Sequence, residues 1–315
     1  MNSRRLYRVS AAIGLSATGC LHVPAVSRTP TEIWAIIGES SELNGTVPFT
    51  AIADTWIALD TISFRPTIIS RAHNNKPENR LAVVTTLQGG RYHPDVVRAL
   101  GEGPEVLATA AGATMSLLAS AGAEGLLVDA QEMTGQDRQS FADFVRAFAD
   151  SARAHSINQI GIVIPANDSI AYPAEPLVRS ADFLVVRLFP EHGVGTPPGP
   201  IVSVPWLARR LGARASQVGV TRIVAGIPAD GVLWTRESAR RVSYAEAVRL
   251  AQSAGTTFTR DPSSRNLHAT STRDGWEIWM VDHEAIDALI AEARRFGVTR
   301  FALFGVDGGD PVLFR

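Results

Sequence analysis

Gly125-Leu126-Leu127-Val128-Asp129-Ala130-Gln131-Glu132-Met133 is an apolar run that turns polar at its end. Past Thr134-Gly135-Gln136-Asp137 it gives way to a segment with Phe141, Phe144, Val145 and Phe148 at i, i+3, i+4 and i+7. The first part reads as a strand covered on both faces, and the second as an amphipathic helix over Asp137–Ala154. Thr134 followed by Asp137 has the form of a capping box with an acid in the usual Glu or Gln place. Alternation with period two sends Leu127, Asp129 and Gln131 to one side and Val128 and Ala130 to the other.

The same strand-then-helix unit recurs on both sides of this stretch. Candidate strands are Glu32–Ile37, Leu59–Phe64, Leu81–Leu87, Gly125–Asp129, Gln159–Pro165, Asp182–Leu188, Arg222–Pro228 and Arg300–Gly305. Helical patterns cover Pro104–Ser120, Ile201–Leu211 and His283–Phe296, the last stopped by Gly297. This alternation predicts an α/β fold, a (β/α)8 TIM barrel, over residues 32–315. The competing open doubly wound sheet lacks support, because no G-x-G-x-x-G turn follows the first strand. One segment, residues 242–282, breaks the pattern. It holds a helix (Tyr244–Ala254) and three short strands (Thr256–Thr259, Leu267–Thr272, Glu277–Val281), with turns at Asp261-Pro262 and Arg273-Asp274-Gly275. It is expected to be a small α+β insertion after the seventh strand.

Arg4, Arg5 and Arg8 precede a short apolar stretch that ends Ala17-Thr18-Gly19-Cys20. Residues 1–20 therefore read as an export signal whose Cys20 would be the lipidated residue of a lipobox, and residues 21–31 as a linker. An ordinary secretory signal that contains a cysteine is the plainer alternative. Export to the cell envelope is the expectation, with membrane contact only through that anchor. No apolar run after residue 30 reaches the ~18 residues of a membrane span. Thirty basic and 31 acidic side chains leave a net charge of −1, so no basic field for nucleic acid exists. With a single cysteine there is neither an internal disulfide nor a cysteine-based zinc site. No H-x-x-x-H, G-x-S-x-G or P-loop pattern occurs, and no cofactor is expected.

In a barrel, functional groups gather where strands end. There the chain resembles glycoside hydrolase family 18, in particular its bacterial spore-germination (YaaH-like) branch, whose fourth strand ends D-x-x-D-x-D-x-E. Here that frame reads Glu124-x-x-Leu127-x-Asp129-x-Gln131. Arg187-Leu188-Phe189-Pro190-Glu191-His192 stands where the family has Met-x-Tyr-Asp-Glu-His. Gly226-Ile227-Pro228, Trp276-Glu277-Ile278-Trp279 and Phe301–Pro311 echo later family segments in order.

The resemblance implies an amino-sugar polysaccharide or oligosaccharide as partner, and cleavage assisted by the substrate's own acetamide. It also implies that the acid which protonates the departing oxygen stands at Gln131, an amide with no transferable proton. The outer aspartate of the motif is Leu127, the family's tyrosine is Phe189, and its terminal tryptophan is Phe304. The expectation is a glycan-binding cleft with hydrolysis lost or strongly reduced. Asp129 would meet the acetamide, Gln131 the glycosidic oxygen, and Phe189 and Phe304 would form the walls.

Glu191, His192, Asp230 and Asp307 are further cleft candidates. Glu191 and His192 could equally be loop caps, and Asp230 and Asp307 turn formers, as could Asp310. Two other readings stay open. One is an active glycosidase using Glu132, redirected by a bulge, or Asp230; the other is a structural or protein-binding lipoprotein with a closed lumen.

Overall fold

The computed structural model describes residues 31–38, 49–71 and 79–314. The signal, the lipobox cysteine and nearly all of the linker lie outside the described residues.

Eight parallel strands close on themselves: Glu32–Ile36, Ala51–Leu59, Arg80–Thr85, Gly125–Asp129, Gln159–Pro165, Phe183–Arg187, Ile223–Pro228 and Arg300–Phe304. Closure is made by the first strand, which pairs with both the eighth and the second. The chain is therefore a (β/α)8 barrel rather than an open sheet. Alternation along each strand separates two cores. Trp34, Leu81, Val83, Leu127, Val163, Phe183, Val185 and Phe304 fill the lumen. Val128, Ala130, Phe141, Phe144 and Phe148 belong to the outer layer between strands and helices. The lumen is crowded enough to need glycine: a Cβ on Gly161 would lie 2.2 Å from the Phe183 ring, and one on Gly226 3.0 Å from that of Phe304.

Seven α-helices occur among the described residues, including Pro104–Ala121, Arg138–Ala154, Val204–Val218 and His283–Arg295. Pro94–Glu102 and Ala174–Ser180 were not expected. Asp137 accepts from the Thr134 N–H and hydroxyl, each at 2.7 Å, and from Arg98. The Arg98 bond chiefly, with those of Thr134, holds its carboxyl down at about 2.

Two expectations on architecture need correction. The second strand is Ala51–Leu59, not Leu59–Phe64. Asp60 accepts from the Ile62 and Ser63 amides at 3.1 and 2.7 Å, which makes residues 60–63 a turn. The true strand was hidden because its apolar run is broken by Asp54, a buried carboxylate paired with Arg80 at 2.6 Å. Pro66–Arg71 then returns antiparallel along the second strand.

The insertion begins at Gly231 rather than at residue 242, and is a five-stranded antiparallel sheet that carries Tyr244–Ala254. Gly231–Thr235 and Ala239–Val242 form its first hairpin. Its loop, Arg236-Glu237-Ser238, contains none of the Gly, Pro, Asn or Asp that mark a turn in sequence.

Candidate active site

Strand register brings one residue from each of several strands to the same end of the barrel. Asp129 lies opposite Thr85, Arg187 opposite Pro165, and Phe304 opposite Pro228. These strand ends, with the loops beyond them, enclose a cleft of about 380 Å³ whose wall includes Asp129, Arg187, Phe189, Asp230, Phe304 and Asp307. That volume is within the usual range for small-molecule sites.

Asp129 is the buried centre. Its Oδ2 accepts from the Tyr92 hydroxyl at 2.9 Å and its Oδ1 from the Gln131 amide at 2.6 Å. Burial pushes its carboxyl up; the Arg187 charge and the two hydrogen bonds pull the other way without cancelling the rise. Burial and the charge of Asp129 together push the Tyr92 phenol well up.

The second hydrogen of the Gln131 amide goes to the Val163 carbonyl at 2.9 Å. With both hydrogens committed, Gln131 is not among the cleft-lining residues and has no donor for a ligand oxygen. The glycosidic-oxygen contact expected of it is therefore absent from this arrangement.

Glu132 turns away. Its backbone is left-handed (φ 65°), its side chain is exposed, and it is not part of the cleft wall. The turn is pinned from below by Tyr172, whose hydroxyl donates to the Ala130 carbonyl at 3.1 Å and accepts from the Met133 amide at 3.0 Å. A redirected backbone does exist at Glu132, but it does not carry the carboxylate into the cleft.

Glu191 and His192 are also not brought to it. Glu191 accepts from the Ser203 amide at 2.7 Å, and His192 Nδ1 lies 3.2 Å from the Pro197 carbonyl. Both serve the long connection after the sixth strand. Asp310 sits 2.6 Å from His283, outside the cleft wall.

Phe189 and Phe304 meet edge to face, with centroids 5.3 Å apart. Asp230 is buried and ion-paired to Arg241, which reaches over from the insertion. Burial pushes the Asp230 carboxyl up, against the opposing pull of Arg241. Asp307 accepts from the Gly38 amide at 3.3 Å.

Sequence reasoning missed Tyr92, Arg187 and Arg241. Tyr92 closes a hairpin with Leu87–Gln88, and the Gly89-Gly90 turn between them was a legible signal. Arg187 continues the inward series Phe183, Val185, so its parity was legible too.

No family model matches the chain. Among proteins of known description it is similar to YdhD of Bacillus subtilis, named as a sporulation-specific glycosylase. Those two are 23% identical over 160 residues, 49% of this chain and 38% of the relative. It is also similar to the B. subtilis glycosylase YvbX, 25% identical over 35% of this chain and 34% of the relative. The matched region thus spans little more than a third of either relative's length.

Among solved structures, the spore cortex-lytic enzyme SleL of Bacillus cereus superposes with a TM-score of 0.72 at 17% identity, covering 91% of this chain and 73% of that one. The chain shares the barrel fold of that enzyme, and the same fold extends to chitinases. A glutamate-to-glutamine variant of the class V chitinase from Nicotiana tobaccum, in complex with NAG4, superposes with a TM-score of 0.70 at 13% identity, covering 90% of this chain and 95% of that one. Against the family 18 motif that the sequence resembles, Asp129 falls at the inner aspartate, Gln131 at the acid and Arg187 at the methionine of the sixth strand.

Proposed function

We propose that the cleft binds a GlcNAc-containing glycan, of peptidoglycan or chitin type, with hydrolysis lost or strongly reduced. One observation carries this reading: where family 18 places its proton donor, the Gln131 amide is bonded to Asp129 and to the Val163 carbonyl. General acid catalysis is worth roughly 10²–10⁴ in rate, and an amide supplies none of it. Phe189 withdraws the hydroxyl that would help to orient an acetamide. The described cleft is open rather than filled, which favours ligand binding over a purely structural barrel. The solved relative that holds NAG4 also carries a glutamine in place of a glutamate, in keeping with binding that outlasts turnover.

The test pairs calorimetric titration of GlcNAc oligomers with turnover of a chromogenic N-acetylglucosaminide. Binding with turnover at background is expected. Enzyme-like turnover would sink the non-catalytic reading. Because Asp230 lines the cleft with its carboxyl pushed toward the protonated form, it is the favoured donor in the competing hydrolase reading. Loss of turnover in Asp230→Asn but not in Glu132→Ala would then establish it.

We further propose that the protein works at the cell envelope, anchored through an acylated Cys20; the Ala17-Thr18-Gly19-Cys20 sequence supports this. Mass spectrometry of the exported mature N-terminus is expected to show a diacylglyceryl cysteine. An unmodified Cys20, or cleavage elsewhere, would remove the anchor.

A further inference from the structure

Four arginines of this barrel that are buried or face the site have their charge answered. Arg80 pairs with Asp54, Arg241 with Asp230 and Arg260 with Asp282, while Arg214 donates to three backbone carbonyls and Gln217. Arg187 is different. Its guanidinium carbon lies 4.9 Å from the centroid of Phe189 and 5.8 Å from that of Phe304, between the two aromatic walls of the cleft. Its Nε is buried and unpartnered, as is that of Arg214, but unlike Arg214, Arg187 has no hydrogen bond or ion pair through any guanidinium nitrogen among the described residues.

The carboxylate beside it does not supply the missing acceptor. Asp129 accepts from Tyr92 and Gln131, and although the Arg187 charge acts on it, no hydrogen bond or ion pair joins the two side chains. The guanidinium fork is thus held in place by two rings, half-desolvated and facing open cleft. Such a fork matches a carboxylate in a two-pronged, charge-assisted contact. A neutral amino sugar offers nothing of that kind, and its hydroxyls would leave the charge unanswered.

We propose that Arg187 is the anchor of a carboxylate subsite, and that the glycan bound here is acidic: an amino sugar bearing a carboxylate, or one joined to a uronic acid. This rests on the glycan-binding reading above and narrows it to a substrate class. Phe189 and Phe304 flank the ring that carries the acid, and Arg187 closes on the carboxylate between them. Arg241, at the other wall, is held by Asp230, so the charge selectivity resides in Arg187.

The test uses full-length exported protein and four probes: chitobiose, the N-acetylglucosaminyl-N-acetylmuramic acid disaccharide, a disaccharide of GlcNAc and glucuronic acid, and free D-lactate. Wild type is expected to bind one of the two acidic disaccharides at least ~10-fold more tightly than chitobiose, the size of a charged hydrogen-bonded pair. Which of the two binds better identifies the source of the carboxylate. In Arg187→Met the acidic-to-neutral ratio falls to near one, and in Arg187→Lys it is intermediate, because a point charge replaces the fork. Arg187→Met is expected to melt no lower than wild type, since it removes an unanswered charge; should it fail to fold, the lysine variant carries the test.

Chitobiose binding equal to that of both acids overturns the carboxylate subsite and leaves the glycan reading standing. Lactate binding that disappears in Arg187→Met, with no sugar bound, retains the anion site and removes the glycan. Failure of all four probes removes both.

Discussion

Arg214→Leu lowers the unfolding free energy by about 3–5 kcal/mol, read by urea denaturation. Arg214 is 1% exposed, and its guanidinium donates to the carbonyls of Tyr172 (2.9 Å), Pro165 (2.7 Å) and Asp168, and to Gln217 (3.3 Å). Burial draws its pKa down to about 10, so it is still charged at neutral pH and still a donor. Leucine of similar bulk removes the charge but strands one buried and two part-buried carbonyls, a buried one costing about 1–3 kcal/mol when unsatisfied and the others less. Relief of the desolvated charge offsets part of that sum.

The loss also has a local signature. The same loop carries Tyr172, which packs edge to face on Phe141 at 5.1 Å and holds the turn between Ala130 and Met133. Tyr172→Phe, which keeps the ring and removes only the hydroxyl, is expected to cost about 1 kcal/mol. If Arg214→Leu unfolds at the wild-type midpoint, the carbonyls have other partners and the clamp is no support for the site.

Gln131→Glu has the second large effect, and it depends on pH. The new carboxylate stands where an amide now donates across 2.6 Å to Asp129, so the two acids must share a proton. The pair's upper folded pKa lies above the ~4.3 of an unfolded glutamate. The folded state therefore holds more protons than the unfolded one as pH rises beyond that value, and stability falls across the window. At low pH the variant approaches wild type; at neutral pH it is weaker by about 2–4 kcal/mol.

Turnover of the chromogenic N-acetylglucosaminide is expected to rise at least ~10-fold over wild type. It should remain below a full general-acid gain, because Leu127 and Phe189 still lack polar groups. A variant whose stability is flat between pH 4 and 8 would show that residue 131 is not in contact with Asp129. Unchanged turnover would show that the missing acid is not the limiting loss.

Local patterning made the barrel legible wherever apolar runs were unbroken. The unit from Gly125 to Ala154 has the strand, the cap and the helical face that its alternation and spacing imply. It failed at the second strand, where Asp54 is buried by virtue of Arg80, a partner 26 residues away. In the site, Asp129, Phe189, Asp230, Phe304 and Asp307 could be named because strand ends are a fixed address in this fold. Glu191 and His192 share that address but are used by the backbone of their own connection, which no spacing rule reveals. Arg241 was out of reach for a different reason. It arrives through antiparallel pairing with Val232, inside a hairpin whose loop lacks the Gly, Pro, Asn or Asp that would mark it in sequence and is closed instead by the Thr235 hydroxyl.

That hairpin has a consequence for how this molecule could be retuned. Arg241, Val242 and Ser243 border the cleft, yet belong to the appended sheet and the cap of its helix rather than to the eight staves. The ring of staves closes without them, through the first strand's pairing to its two neighbours. Lengthening, shortening or recharging the appendage would reshape the mouth while leaving the ring's closure, and most of its packing, as it is. The width of the entrance and the integrity of the ring thus rest on separable parts of the polypeptide, while the arginine within stays with the ring.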